Sequence, residues 1–352
     1  MTKYILYIAV FLFAMNSVQS QDALYSQFYN ANVILNPSLT GVFDGQQRFA
    51  IQYRDQWSSI HRSQSFKTIS AQFDAKIHVK NNDFITYGID FTRDESGSSS
   101  YIQQNGHINI GYIKQIGASA YSSVEHYLVG GLKLGGGQNS IDVSKIWFGS
   151  QFDTNGGAID LGRPSNEDLI NMNGNSPLYA DFGFGLLYYA IFDDRNNFYI
   201  GAAGSHLNSP RISLTEFGDI RLQRLYSIHA GGEILLNREL SIMPNFVAYF
   251  QNPSRMVMPG FHMRYKHKDW REVALRAGVW TRIVRGEPQV VINDALIFSA
   301  TFEYEAWLFG VSYDVTTSRL INSNDGRGAF EFSLQYTNRN VNYRRPINCP
   351  KF

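Results

Sequence analysis

The stretch Lys67–Ile77, KTISAQFDAKI, alternates without a fault. Ile69, Ala71, Phe73, Ala75 and Ile77 fall on one side; Thr68, Ser70, Gln72, Asp74 and Lys76 fall on the other. Successive side chains of a β-strand point to opposite faces, so this is a strand with one apolar and one wet surface. Two architectures use such a strand. In a soluble sandwich the apolar face meets a second sheet. In a membrane-spanning barrel it meets lipid, and the polar face lines the lumen.

The pattern recurs along the chain. Runs of about ten residues, bounded by turn residues, occupy 46–54, 66–78, 84–93, 101–114, 124–135, 178–192, 197–208, 222–236, 240–251, 256–267, 271–284, 289–303, 305–317 and 328–338. In 305–317, Phe309, Val311, Tyr313 and Val315 oppose Gly310, Ser312, Asp314 and Thr316. In 328–338, Phe330, Phe332, Leu334 and Tyr336 oppose Glu331, Ser333, Gln335 and Thr337. In 271–284, Arg276 and Arg282 share a face that Leu275, Ala277 and Val279 do not. Tyr188, Tyr189, Trp270, Trp280 and Trp307 lie near segment ends, where the aromatic girdles of a membrane barrel are expected.

The connections give a second signal. Every other gap, starting with 55–65 and continuing through 94–100, 136–177, 209–221, 252–255, 285–288 and 318–327, forms the longer set. The gaps between them, 79–83, 115–123, 193–196, 237–239, 268–270 and 304, form the shorter set. Outer-membrane barrels have short periplasmic turns and long external loops, an asymmetry that a sandwich has no reason to show. The expected fold is therefore all-β: a transmembrane antiparallel β-barrel of about 14 strands. Ile69 and Phe73 face lipid, and Gln72 and Asp74 face the lumen. An even strand number places both ends of the mature chain on the short-turn, periplasmic rim.

Composition agrees. Charged residues make up 17% of the chain, below the ~25% of ordinary soluble domains. Aromatic residues make up 14%, and there are 30 glycines. Mean hydropathy is −0.24. A formal net charge of +1 gives no support to nucleic-acid binding. The first twenty residues, MTKYILYIAVFLFAMNSVQS, join Lys3 to an apolar run, Ile5–Met15, with Val18 and Ser20 at the −3 and −1 positions of a cleavage site. This reads as a secretory signal, residues 1–20, with Gln21 first in the mature chain. The apolar run is too short to span ~30 Å of hydrocarbon. Cys349 is the sole cysteine, so no intrachain disulfide forms and no lipid-attachment cysteine follows the signal; we expect it to be buried.

Particular stretches go beyond a generic barrel. They are QDALYSQFYNANVILNPSLTGV (21–42), QYRDQW (52–57), GVSYDVTTSRL (310–320), GRGAFEFSLQY (326–336) and INCPKF (347–352). Together they resemble the PorP/SprF family, outer-membrane proteins of the Bacteroidetes type IX secretion system. The matching positions are Asn36, Pro37, Gly41, Tyr53, Arg54, Gln56, Trp57, Tyr313, Asp314, Gly328, Glu331, Cys349, Pro350 and Phe352. Ala23 and Ser38 stand where the family usually has Pro and Ala, and Asn32-Val33 where it has a further Asn-Pro. The resemblance implies a non-enzymatic component that supports export, surface attachment or gliding-linked propulsion of particular cargo. It also implies partners: periplasmic ring proteins, a peptidoglycan-associated protein, and a secreted surface cargo or adhesin.

The residues offer physical grounds for such contacts. Segment 21–45 carries Leu24, Tyr25, Phe28, Tyr29, Val33, Ile34 and Leu35, too apolar for a free tail. It is expected either inside the lumen as a plug or against the periplasmic rim. After the barrel, 46–338, the tail 339–352 carries Arg339, Arg344, Arg345 and Lys351 and no acidic residue. It suits docking on an acidic periplasmic protein, or folding back on its own rim. The long connection 136–177 carries Ile146, Trp147, Phe148 and Phe152; Trp147 and Phe148 are candidates for cargo contact, or for a lid over the mouth.

Catalytic patterns are missing from the sequence. There is no HExxH, no EF-hand loop and no Gly-x-Ser-x-Gly elbow, and no cofactor is expected. Gly135–Gly137 lack the Lys-Ser/Thr of a P-loop. His262 and His267 fall on opposite faces of a strand, as do Ser205 and His206. The other functional reading is a channel, either a porin or a pore for hydrophobic substrates.

Overall fold

The computed structural model describes residues 22–58, 65–80, 82–119, 122–153, 157–160, 162–163, 174–193, 195–215, 218–269, 272–285, 290–338 and 349–350. Fourteen strands form a closed antiparallel barrel. They are β1 (Gln47–Gln56), β2 (Phe66–Lys80), β3 (Asp83–Ser96), β4 (Tyr101–Ser119), β5 (Ser122–Ser140), β8 (Tyr179–Ile191), β9 (Asn197–Ser205), β10 (Leu225–Leu235), β11 (Leu240–Gln251), β12 (Ser254–Tyr265), β13 (Val273–Arg285), β14 (Val291–Tyr304), β15 (Trp307–Thr316) and β16 (Arg327–Asn338). Each strand pairs with its neighbours in sequence, and β1 closes on β16 from Gln47↔Asn338 to Gln56↔Ala329. Closure leaves no strand edge for water to satisfy, which is what a hydrocarbon environment demands. The expected signal segment 1–20, Trp270 and the tail residues 339–348 and 351–352 lie outside the described residues.

Every strand expected from the alternation is present, with ends shifted by a few residues. Ile69, Ala71 and Ile77 are exposed on the outside, whereas Thr68, Ser70, Gln72 and Asp74 are buried inside; Ala75 alone of the apolar set is buried. Phe309, Val311, Tyr313, Phe330 and Phe332 are likewise exposed, opposite buried Ser312, Asp314, Glu331 and Ser333. The outer surface is a band of Ile, Leu, Phe and Tyr, as lipid requires.

Three details differ from expectation. β5 runs on to Ser140, so the longest connection is 141–178; it contains a two-stranded ribbon, β6 (Phe152–Asp153) with β7 (Ala158–Ile159). Rim asymmetry rests on four connections, 57–65, 141–178, 206–224 and 317–326, while 97–100, 252–253 and 286–290 are as tight as the opposite turns. Tyr189 and Trp280 are not girdle residues. Both point inward and are fully buried. The reason is strand parity: Trp280 shares its face with Arg276 and Arg282, which also point inward. Trp307, by contrast, is exposed beside Tyr336.

Candidate functional site

The lumen is filled by the chain's own N-terminal segment. Residues 25–43 are almost all buried, a degree of enclosure that only the surrounding wall can provide. The segment enters at the short-turn end, where Phe43 O accepts from Lys76 Nζ. It finishes at the long-loop end, where Asp22 bonds Gln251, Gln103 and His206. Both chain ends were expected on the short-turn rim; Asp22 lies at the opposite end. Strand parity fixes where β1 begins, not where the preceding segment runs, and this segment is apolar enough to cross a packed interior.

Mid-lumen, one helical turn (Asn32–Leu35) leads into a tight turn, Pro37–Leu39. Asn36 caps it: Oδ1 accepts from Ser38 N at 2.9 Å and from Ser38 Oγ at 2.6 Å. Proline follows at the first position, where no amide donor is needed. The Asn36 amide lies 2.9 Å from His229 Nε2 and donates to the Leu186 and Ala202 carbonyls. Strand glycines make room for this turn. A Cβ on Gly185 would strike Asn36, and one on Gly131 would strike the Pro37 carbonyl. Gly41 has φ +75°, a conformation that disfavours any Cβ, and donates to Asp74 Oδ2 at 2.7 Å. Arg48 holds the same carboxylate with two bonds, 2.9 and 2.8 Å. Tyr29 stacks on Trp280 at 5.1 Å and meets His262 edge-on at 4.6 Å. Such pairs add about 0.5–1.5 kcal/mol each beyond burial.

Two buried charge clusters anchor the segment's far end. In the first, Glu331 accepts from Ser26 N (2.6 Å) and Gln27 N (2.8 Å), and Asp314 accepts from Ser26 Oγ (2.7 Å). Arg54 bridges the two carboxylates, pairing with Glu331 and lying 3.2 Å from Asp314, and Arg282 pairs with Asp314 at 2.5 Å. In the second, Asp181 Oδ2 lies 2.9 Å from both His107 Nε2 and His206 Nδ1. Their other nitrogens lie 2.8 Å from Asp90 and Asp22. Lys133 lies between Asp90 (3.9 Å) and the Ile34 carbonyl (3.2 Å). His206 reaches inward because the chain turns left-handed there, at φ +56°, just past the end of β9. Burial alone would lower its pKa, but Asp22 and Asp181 outweigh that and raise it to about 10.

Both ring nitrogens of each histidine lie within 2.9 Å of a carboxylate oxygen. Among the described residues no group of three or more His, Cys, Asp or Glu is arranged to hold a metal ion. At the short-turn end, Cys349 is a buried free thiol; its amide donates to Asp44 Oδ1 at 2.7 Å, and Lys76 Nζ lies 3.5 Å from its sulfur. Pro350 lines the open recess there, with Phe43, Arg48 and Arg276.

The sequence motifs thus converge. Arg54, Asp314 and Glu331 meet around Ser26, while Asn36, Pro37 and Gly41 form the turn that the wall receives. Gln56 accepts from Arg54 at 3.1 Å. Trp57 packs edge-on against Phe66 at 5.3 Å and donates its amide to Gly328 O. Tyr313 is exposed on the outer surface, and Tyr53 is half-buried. Trp147 is exposed and Phe148 half-buried in the 141–178 connection, remote from these motifs in the chain. Arg339, Arg344, Arg345, Lys351 and Phe352 are outside the described residues.

A family model for type IX secretion system membrane protein PorP/SprF matches residues 17–336. The chain belongs to the PorP/SprF family. No curated protein matches it. Among solved structures, the toluene transporter TodX of Pseudomonas putida is 12% identical, with TM-score 0.48, covering 90% of this chain and 95% of TodX. The Ralstonia pickettii toluene transporter TbuX is 10% identical, with TM-score 0.44 and coverage of 88% and 93%. CdiB from Acinetobacter baumannii is 8% identical, with TM-score 0.43 and coverage of 83% and 60%. This PorP/SprF chain also uses residues that no motif flagged: Arg48, Asp74, Asp90, His107, Asp181 and Arg282. The one available signal was parity, since Asp74 and Arg282 sit on the wet faces of their strands.

Proposed function

We propose that this protein is a non-enzymatic outer-membrane component of the type IX secretion system. In this reading it supports secretion, surface attachment or gliding-linked propulsion of a specific cargo by binding that cargo and periplasmic machine parts. The long connections, with Trp147 and Phe148, face outward, and the short turns face the periplasm. The observation that carries the reading is the filled lumen. An open diffusion pore needs a clear bore, and here buried charges and an aromatic stack hold a segment across it. A protein that does not conduct has its rims left to act with.

The basic tail, with Arg339, Arg344, Arg345 and Lys351, is assigned to an acidic periplasmic partner. Affinity isolation of the tagged protein from gently solubilised outer membranes, with mass spectrometry, tests the reading. Recovery of periplasmic ring proteins or a large surface adhesin supports it. A partnerless barrel that passes solutes in liposomes returns the channel reading. Truncation after residue 339 is expected to leave a folded barrel without its periplasmic partners; undiminished recovery by the truncated protein would remove the tail from the account.

A further inference from the structure

Beside the second charge cluster, at the long-loop end of the lumen, lies a cavity of about 80 Å³ between residues 22–35 and the wall. Leu24, Asp94 and Leu225 are half-buried and form its mouth. Phe28, Asp181 and Tyr249 are buried and form its floor. An ordered water takes roughly 10–15 Å³ of such space, so the cavity has room for about five to eight groups of that size. The four-carbon stem and ammonium of a lysine side chain are of that length.

The charges lining the cavity do not balance. Asp22, Asp90, Asp94 and Asp181 stand against His107, His206 and Lys133. The two histidines and the lysine serve Asp22, Asp90 and Asp181. Asp94 has only a hydroxyl: Thr68 Oγ1 donates to it at 2.6 Å, and among the described residues no cation pairs with it. Arg54, whose field reaches Asp94, is committed to Asp314 and Glu331. Deeper in, Asp181 Oδ1 accepts no hydrogen bond, although its side chain is fully buried. A buried acceptor left unmet is costly, more so when it is charged. An ammonium group is the donor both carboxylates lack, and its aliphatic stem suits the apolar lining.

We propose that this cavity takes a lysine side chain of an exported polypeptide, its ammonium at Asp94 and Asp181 and its methylenes against Leu24, Phe28 and Leu225. The polypeptide as source rests on the cargo-binding reading above. Binding of an alkylammonium group by the cavity does not, so the two fail separately.

The test is calorimetric titration of the purified full-length protein in detergent. The probes are an end-blocked, leucine-flanked lysine peptide, the same peptide with norleucine for lysine, and n-butylammonium. Wild type is expected to bind the lysine peptide, and Asp94→Asn to bind it roughly tenfold more weakly, the scale of one charge-assisted contact. Heat-modifiable migration checks that the variant is a folded barrel, and Asp94→Ser serves if Asp94→Asn does not fold. Equal affinity in the folded variant, equal affinity for the norleucine peptide, or no binding of any probe overturns the site. Binding of n-butylammonium without binding of the lysine peptide overturns the polypeptide as its source.

Discussion

Two buried clusters hold the same end of the lumen segment, and they are built differently. Around Ser26 and Gln27 the charges are arginines against carboxylates, drawn from β1, β13, β15 and β16. Around Asp22 they are histidines and one lysine against carboxylates, drawn from β3, β4, β5, β8 and the turn after β9. Arginine keeps its charge at any pH a protein survives. Histidine keeps its charge only while its carboxylates hold the proton on it. One anchor is permanent and the other conditional, though they sit side by side in one lumen.

The largest effect is expected at the permanent anchor. Arg54→Ala leaves Glu331 buried without its arginine, while Asp314 keeps Arg282; a buried pair broken on one side costs about 3–5 kcal/mol. Protease sensitivity of residues 22–45 should rise sharply, read by N-terminal cleavage in detergent. A variant as resistant as wild type would mean that Arg54 does not anchor the segment. Gly185→Val comes next. Its side chain would occupy the space of Asn36, an overpacking cost of about 1–3 kcal/mol. The outcome should be a closed barrel with a looser segment, seen as faster hydrogen exchange at residues 32–40 and unchanged exchange in the strands.

The smallest effect separates the two clusters. His206 has its pKa raised from 6.5 to about 10. Its contribution is therefore complete below pH 6.5 and is lost as pH rises through about 10. Protection of residues 22–24, taken relative to intrinsic base-catalysed exchange, should fall across that window while that of Ser26 and Gln27 holds. Simultaneous loosening of both stretches would erase the distinction between the anchors.

Much of this fold was legible because one rule governs it. A barrel between lipid and a polar lumen imposes period two on every strand, so KTISAQFDAKI and its counterparts betray their two faces directly. The same rule, applied to Trp280 and Tyr189, would have placed them inside; position near a strand end misled. The convergence of Arg54, Asp314 and Glu331 was not legible, since β1 meets β16 only when the barrel closes. Nor was the second cluster. His206 follows Ser205 in sequence, yet a single left-handed residue carries it out of the strand's alternation and into the lumen. The path of residues 22–45 was open between lumen and rim, because apolar content establishes that a segment packs without saying against what.

The central claim is that residues 22–45 close the barrel. Planar-bilayer recording tests it, on the intact protein and on the same protein lacking residues 22–43. The intact protein is expected to show no steady conductance, and the deletion a stable open level. Equal, sustained conductance from both would contradict it.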